Sequence, residues 1–288
     1  MRIGGLVLAS VLLAGGCSGK QADAPEDQPS LSASNDAGVG GTGVGSASQA
    51  ATSDGASPDG QAAAAMGRKE EASNDLYEFA YEYPDQAGAI PGLRARLDAK
   101  LDETRKALIA ESRDDRREAK KNDFPYHAHS SQTSWKVVTD LPGWLSLSSE
   151  FYVFSGGAHG MSGFDSLLWD KQADAARKPE TLFTSEAALR SAIRRPFCSA
   201  LDREREKRRG VPVQRGSDDM FSDCIDPLES TVILGSSNGK TFDRLGILVG
   251  PYAAGPYAEG TYEITLPVTS AVLGTVKPAY KDSFSIGN

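Results

Sequence analysis

Aromatic residues are absent from the first 72 positions, although the chain of 288 residues holds 10 phenylalanines, 9 tyrosines and 3 tryptophans. The stretch is largely Gly, Ala, Ser, Asp and Thr. It buries too little apolar surface to offset the entropy of ordering it. Basic residues are in deficit: 31 Lys and Arg stand against 39 Asp and Glu, for a net charge of −8. About half of that excess falls in the first 72 residues, and no basic stripe with interleaved aromatics occurs later. No nucleic-acid partner is therefore expected. Ser155 and Ser162 do not sit in a GxSxG elbow, no GK[ST] follows the glycines at 156, 157 and 160, and no CxxC spacing occurs, so that turn carries neither the serine-hydrolase nor the nucleotide signal and the dithiol-redox spacing is missing. Histidine and cysteine are scarce, with three of each.

No apolar run is long enough to span a bilayer as a mature helix. The one notable run, IGGLVLASVLLA from Ile3 to Ala14, follows Met1-Arg2 and ends at Gly15-Gly16-Cys17. It has the size of a signal-peptide core. Small residues before a cysteine resemble the bacterial lipobox, with residues 1–16 cleaved and Cys17 acylated as the new N-terminus. The usual Leu three residues before the cysteine is here Ala14, with Leu13 one position earlier. The alternative is an ordinary secretory signal cut near Ala14-Gly15-Gly16. A lone exposed thiol in an oxidising compartment is a liability, which favours lipidation. Several acyl chains on one residue anchor stably. The expected location is extracytoplasmic, on a membrane, and on the periplasmic face of the outer membrane if the cell has two membranes, since Ser18 permits that sorting.

Residues 17–72 read as a lipidated cysteine followed by a tether, with a reach of roughly 40 Å by random-coil scaling. Residues 73–288 read as the folded part, with a division into lobes 73–140 and 141–288 left open. With Cys17 lipidated, Cys198 and Cys224 remain as an even pair in an exported domain, and a disulfide between them is expected.

Within the folded part, Leu76–Tyr83 alternates with period two and ends at Pro84, a strand. After Pro91, Leu93, Leu97, Leu101, Leu108 and Ile109 keep helical spacing to about Lys120. Trp135–Asp140 and Trp144–Phe154 read as strands about a Leu141-Pro142-Gly143 turn, and Phe164–Trp169 returns in a hairpin. Leu189, Ile193, Phe197 and Leu201 mark a helix over Glu186–Arg209, which Pro196 should kink or break. Its end, REREKRR, reads as solvated and complementary to the helix dipole. Strands at Ser230–Leu234, Arg244–Val249 and Tyr262–Leu266 complete an α+β fold, a mostly antiparallel sheet with two long amphipathic helices packed on it.

Two loops stand out. Gly156-Gly157-Ala158-His159-Gly160 breaks a hairpin, and its glycines are suited to positive φ or close backbone approach. Gly250-Pro251-Tyr252-Ala253-Ala254-Gly255-Pro256-Tyr257 links two strands and offers two tyrosines for stacking on a sugar or a protein. Candidate recognition residues are Gly156, Gly157, His159, Gly160, Tyr252, Pro256 and Tyr257, because loops on a rigid scaffold carry function.

Catalytic alternatives are thinner. His127 and His129, spaced for one face of an extended segment, could join His159 in a three-histidine zinc site with an open water position, acting as a hydrolase. The plainer reading makes His127 and His129 surface residues and has His159 bonding backbone in its turn. Ser155 and Ser162 flank that turn, and Asp165, Asp170 and Asp174 follow it. A His159–Asp165 dyad is conceivable, against the simpler reading of outward polar positions.

The segments FAYEYP (Phe79–Pro84) with the helix after it, FSGGAHG (Phe154–Gly160), Thr181-Leu182-Phe183, and VGPY…GPYAEGTYEI…P (Val249–Pro267) together resemble the RsiV-like extracytoplasmic domain family, shared with the N-terminal region of the peptidoglycan deacetylase PdaC. The resemblance runs in order over nearly the whole folded part. The anti-sigma member's sigma-binding segment and transmembrane helix, and the deacetylase catalytic domain, have no counterpart here. The anti-sigma member's domain binds lysozyme. The resemblance therefore implies a binding module for peptidoglycan or a lysozyme-like protein, without catalysis or cofactor. A metal-dependent glycan hydrolase and a structural or assembly lipoprotein are the other readings.

Overall fold

The computed structural model of the chain describes residues 67–217 and 220–287. The expected signal sequence, Cys17 and most of the expected tether lie outside the described residues.

The first sheet has six strands in chain order: β1 (Arg68–Ser73), β2 (Tyr77–Tyr83), β3 (His129–Leu141), β4 (Trp144–Phe154), β5 (Met161–Asp170) and β6 (Ala175–Arg177). All neighbours are antiparallel except β2 and β3. A parallel pair needs a crossover, and α1 (Asp85–Gly88) with α2 (Pro91–Lys121) supplies it. In β2 the alternation decides the face: Tyr77, Phe79, Tyr81 and Tyr83 are buried, while Glu78 is exposed. Against them α2 lays Leu93, Leu97, Leu101 and Leu108. Each such leucine contributes about 2 kcal/mol of burial.

The second sheet is antiparallel, β7 (Thr231–Gly235), β8 (Arg244–Val249) and β9 (Tyr262–Pro267). On it packs α3 (Glu186–Arg209) through Leu189, Ile193, Phe197 and Leu201. Ser185 caps α3 by accepting from the Ala188 amide at 3.1 Å, and Gly210 ends it in the left-handed conformation, φ 71°, a common helix stop. Pro196 does not break α3. It sits on the exposed face, where water can satisfy the carbonyl that the missing N–H leaves free. Cys198 and Cys224 are disulfide-bonded, Cα atoms 5.5 Å apart. The short α4 (Ser270–Thr275) follows β9. Among the described residues no helix is long and apolar enough to cross a membrane.

Two expectations are corrected. The folded part begins before residue 73, because Arg68–Ser73 forms β1 and pairs with β2 along its whole length. The strand is held by charge more than by apolar alternation: Arg68 bonds Asp98 of α2 at 2.8 Å, and Glu70 accepts from Arg105. The lobe boundary at 140/141 does not exist either, since the first sheet runs on to Arg177. The molecule has two cores that meet on opposite faces of β4 and β5. Leu145, Leu147, Leu167 and Trp169 join the α2 core, while Trp144 and Leu168 join the α3 core.

Candidate functional site

The β4–β5 turn and the β8–β9 loop come together. Gly156 and Gly157 take φ values of 97° and 90°, a region that favours glycine. At Gly160 a Cβ would lie 2.4 Å from the ring of Tyr152, so a larger residue there would have to displace that ring. His159 Nδ1 is 2.9 Å from the carbonyl of Gly160. A carbonyl only accepts, so Nδ1 carries the proton and, in the neutral ring, Nε2 is an acceptor. Tyr252 Oη stands 3.3 Å from that Nε2 and donates to it. Tyr257 donates to the same Gly160 carbonyl at 3.1 Å. The His159 and Tyr257 rings stack at 4.1 Å and 22°, and Tyr252 closes the group 5.4 Å from Tyr257. Tyr252 is 47% exposed and has φ 64°. A left-handed backbone at an aromatic residue costs about 1–3 kcal/mol and survives only where its surroundings over-determine it. Pro256 is exposed in the same loop.

The end of α3 over-determines that loop. The REREKRR run is not merely solvated, as its charge pattern suggests. Arg205 is fully buried and donates through Nε to the Ala254 carbonyl at 2.8 Å and through Nη1 to the Asp223 carbonyl at 2.9 Å. Burial lowers its pKa, yet an arginine so far above neutrality stays cationic. Arg209 grips Glu259 with Nε to Oε1 at 2.8 Å and Nη2 to Oε2 at 3.0 Å. Arg208 lies 3.9 Å above the Tyr262 ring, and Tyr262 donates to Glu259. Burial pushes the Glu259 carboxyl up, but the bonds from Arg209 and Tyr262 outweigh it and hold the carboxyl below its ordinary value. Gly255 leaves room for this carboxylate, since a Cβ there would meet Glu259 Oε2 at 2.2 Å. These anchors escape sequence reading because they join residues about fifty positions apart. The signal available was the placement of Arg205 and Arg209 four apart on one helix face.

The other candidates disperse. His127 is exposed. His129 opens β3 and is 2% exposed, with Nε2 3.3 Å from Asp115 of α2. His159 is committed to the tyrosines. The three-histidine zinc site is therefore not formed: the His129 ring reaches Asp115 of α2, while His159 bonds the Gly160 carbonyl and stacks on Tyr257. Among the described residues the one cluster with metal-ligand spacing is Glu111, Asp115 and His129. The dyad is absent too. Asp165 pairs across the sheet with Ser149, Asp170 accepts from Arg177 and the amides of Gln172 and Ala173, and neither Ser155 nor Ser162 hydrogen-bonds His159. What the tyrosine–histidine group offers is a flat, partly exposed aromatic face with hydroxyl tips, suited to stacking and hydrogen bonding.

Residues 70–162 match the family model described as Deacetylase PdaC. No curated protein matches the chain. Among solved structures, a member of the DUF3298 family from Bacteroides fragilis aligns with a TM-score of 0.48 and 14% identity over 75% of this chain and 95% of that one. A DUF3298 family protein from Pseudomonas aeruginosa aligns at 0.40 and 18% over 74% and 94%.

Proposed function

We propose that this chain, which carries a domain of the PdaC-like family over residues 70–162, is a non-catalytic binding module of the cell envelope. In this reading Cys17 is lipidated and holds the module on a membrane, and the face formed by Tyr252, Tyr257 and His159 binds cell-wall material or a wall-active protein such as lysozyme. The observation that carries the reading is the meeting of three rings from two separate loops on an exposed surface, with the loop backbone clamped by Arg205 and Arg209. A rigid aromatic face loses little entropy on binding, and tyrosines are frequent anchors of protein interfaces.

The test is titration of the full chain against lysozyme and, separately, against purified peptidoglycan. Saturable binding to one of them is expected, weakened roughly ten-fold or more by Tyr252→Ala and little changed by substitutions on the exposed face of α2. Fractionation of the same cells checks the anchor, with Cys17→Ala releasing the protein from the membrane fraction. Binding to neither ligand would remove the recognition reading. Membrane retention of the Cys17 variant would remove the anchor.

A further inference from the structure

Helix α2 carries acids along its exposed side, and those flanking its second half have basic partners. Asp114 pairs with Arg117 at 2.6 Å and Glu118 with Lys121 at 3.8 Å. Glu111 and Asp115 differ. They lie four residues apart, hence on one helix face, and among the described residues neither pairs with a lysine or arginine. Both face His129, the first residue of β3. That ring is 2% exposed, covered on one side by Tyr126 at 5.6 Å. Its Nε2 points at Asp115 Oδ2, 3.3 Å away, and its Nδ1 has no hydrogen-bond partner. One ligand atom from each of the three residues lies within 4.8 Å of the other two.

We infer that Glu111, Asp115 and His129 form a binding site for a divalent transition-metal ion of the zinc class. Two carboxylates turned toward each other without a cation between them repel, and a buried imidazole aimed at them supplies a nitrogen donor. An imidazole with two carboxylates suits zinc, whereas calcium and magnesium take oxygen ligands throughout. Bonds of 2.0–2.2 Å to such an ion place tetrahedral ligand atoms about 3.4 Å apart. His129 and Asp115 already stand at that separation. The exposed, flexible Glu111 side chain closes the rest by swinging about 1 Å. Solvent fills the remaining position in the cleft where Asp115 and His129 meet Glu118, Tyr126 and the Ser155–Gly157 turn. Such an ion ties the second half of α2 to the start of β3, and its role is that of a clamp.

The test uses the full chain stripped of metal, titrated calorimetrically with zinc chloride at pH 7.5, with magnesium chloride in a parallel titration. One zinc per chain is expected, with a rise in melting temperature on binding. Glu111→Gln and Asp115→Asn replace exposed carboxylates by neutral amides of the same shape and are expected to leave the fold intact. Each is expected to weaken zinc binding on the order of ten-fold or more and to abolish the melting shift. His129→Ala is expected to do the same, with circular dichroism reporting its fold. Asp114→Asn, which removes a carboxylate of the same helix paired with Arg117 and outside the cleft, leaves binding unchanged. Absence of saturable zinc binding overturns the site, and so does binding that survives both Glu111→Gln and Asp115→Asn. Equal losses in Asp114→Asn, or magnesium bound as tightly as zinc, would reduce the site to a diffuse acidic surface and overturn it as well.

Discussion

Glu259 shows how one side chain holds a loop. Its carboxylate takes two bonds from Arg209 and one from Tyr262, and its pKa lies below the ordinary 4.5. A carboxyl whose folded pKa is depressed adds stability that is complete above its unfolded value. That stability is lost as pH falls through the folded value. Glu259→Gln is therefore expected to cost about 2 kcal/mol at pH 7, in line with hydrogen bonds to charged groups. The difference between variant and wild type shrinks once pH drops below about 4.5. Urea midpoints of both proteins at pH 7, 5, 4 and 3 check this, and a difference independent of pH would show that the carboxylate's charge is not what matters. At this scale the sequence was half legible. Glycine-rich turns and paired tyrosines announce themselves by composition, so His159, Tyr252 and Tyr257 could be singled out. Arg205 had only its spacing from Arg209 to mark it, because a basic helix end looks the same whether water or a distant carbonyl accepts its hydrogen bonds.

At the scale of elements, periodicity was a good guide wherever apolar residues set it. The limits of α2, α3, β4 and β8 follow from leucine and valine spacing. It failed at β1 and at the first half of β3. RKEEAS and HSSQTS carry few apolar residues, and their pairing is fixed by ions to α2 and by the ladder itself. The disulfide works between elements. It fastens α3 to the segment whose Phe221 and Asp223 carbonyls receive bonds from Arg209 and Arg205, the same arginines that hold the tyrosine loop. Replacing both Cys198 and Cys224 by alanine is expected to cost about 3–4 kcal/mol in the chain-entropy model. It should also raise amide hydrogen exchange in residues 250–260 more than in β2 or α2. Equal exchange in both regions would mean that the bond stabilises the fold without steadying the loop.

At the scale of the whole molecule, the question is whether two sheets make one cooperative body. The contiguous runs Trp144-Leu145 and Leu167-Leu168-Trp169 depart from strict alternation, the mark of strands covered on both faces. Periodicity identifies such a run without saying what lies on either side, which is why a lobe boundary near residue 140 looked reasonable. In the fold, the first sheet sends Trp144 and Leu168 into the α3 core and Leu145, Leu147, Leu167 and Trp169 into the α2 core. Trp144 also donates to Ser283 at 2.9 Å, and Thr231 at the start of β7 donates to the Phe164 carbonyl at 2.9 Å. Neither core can come apart without stripping a face of β4 and β5. Leu168 is fully buried, and its truncation to alanine is expected to cost 2–5 kcal/mol through lost contacts and the cavity left behind. The loss should lower the stability of both halves together. Calorimetry of wild type and Leu168→Ala should each show one transition, with calorimetric and van't Hoff enthalpies equal. Two transitions in the wild type, or a variant in which only one of two steps moves, would show that the cores unfold separately. The shared strands would then be a seam between two domains.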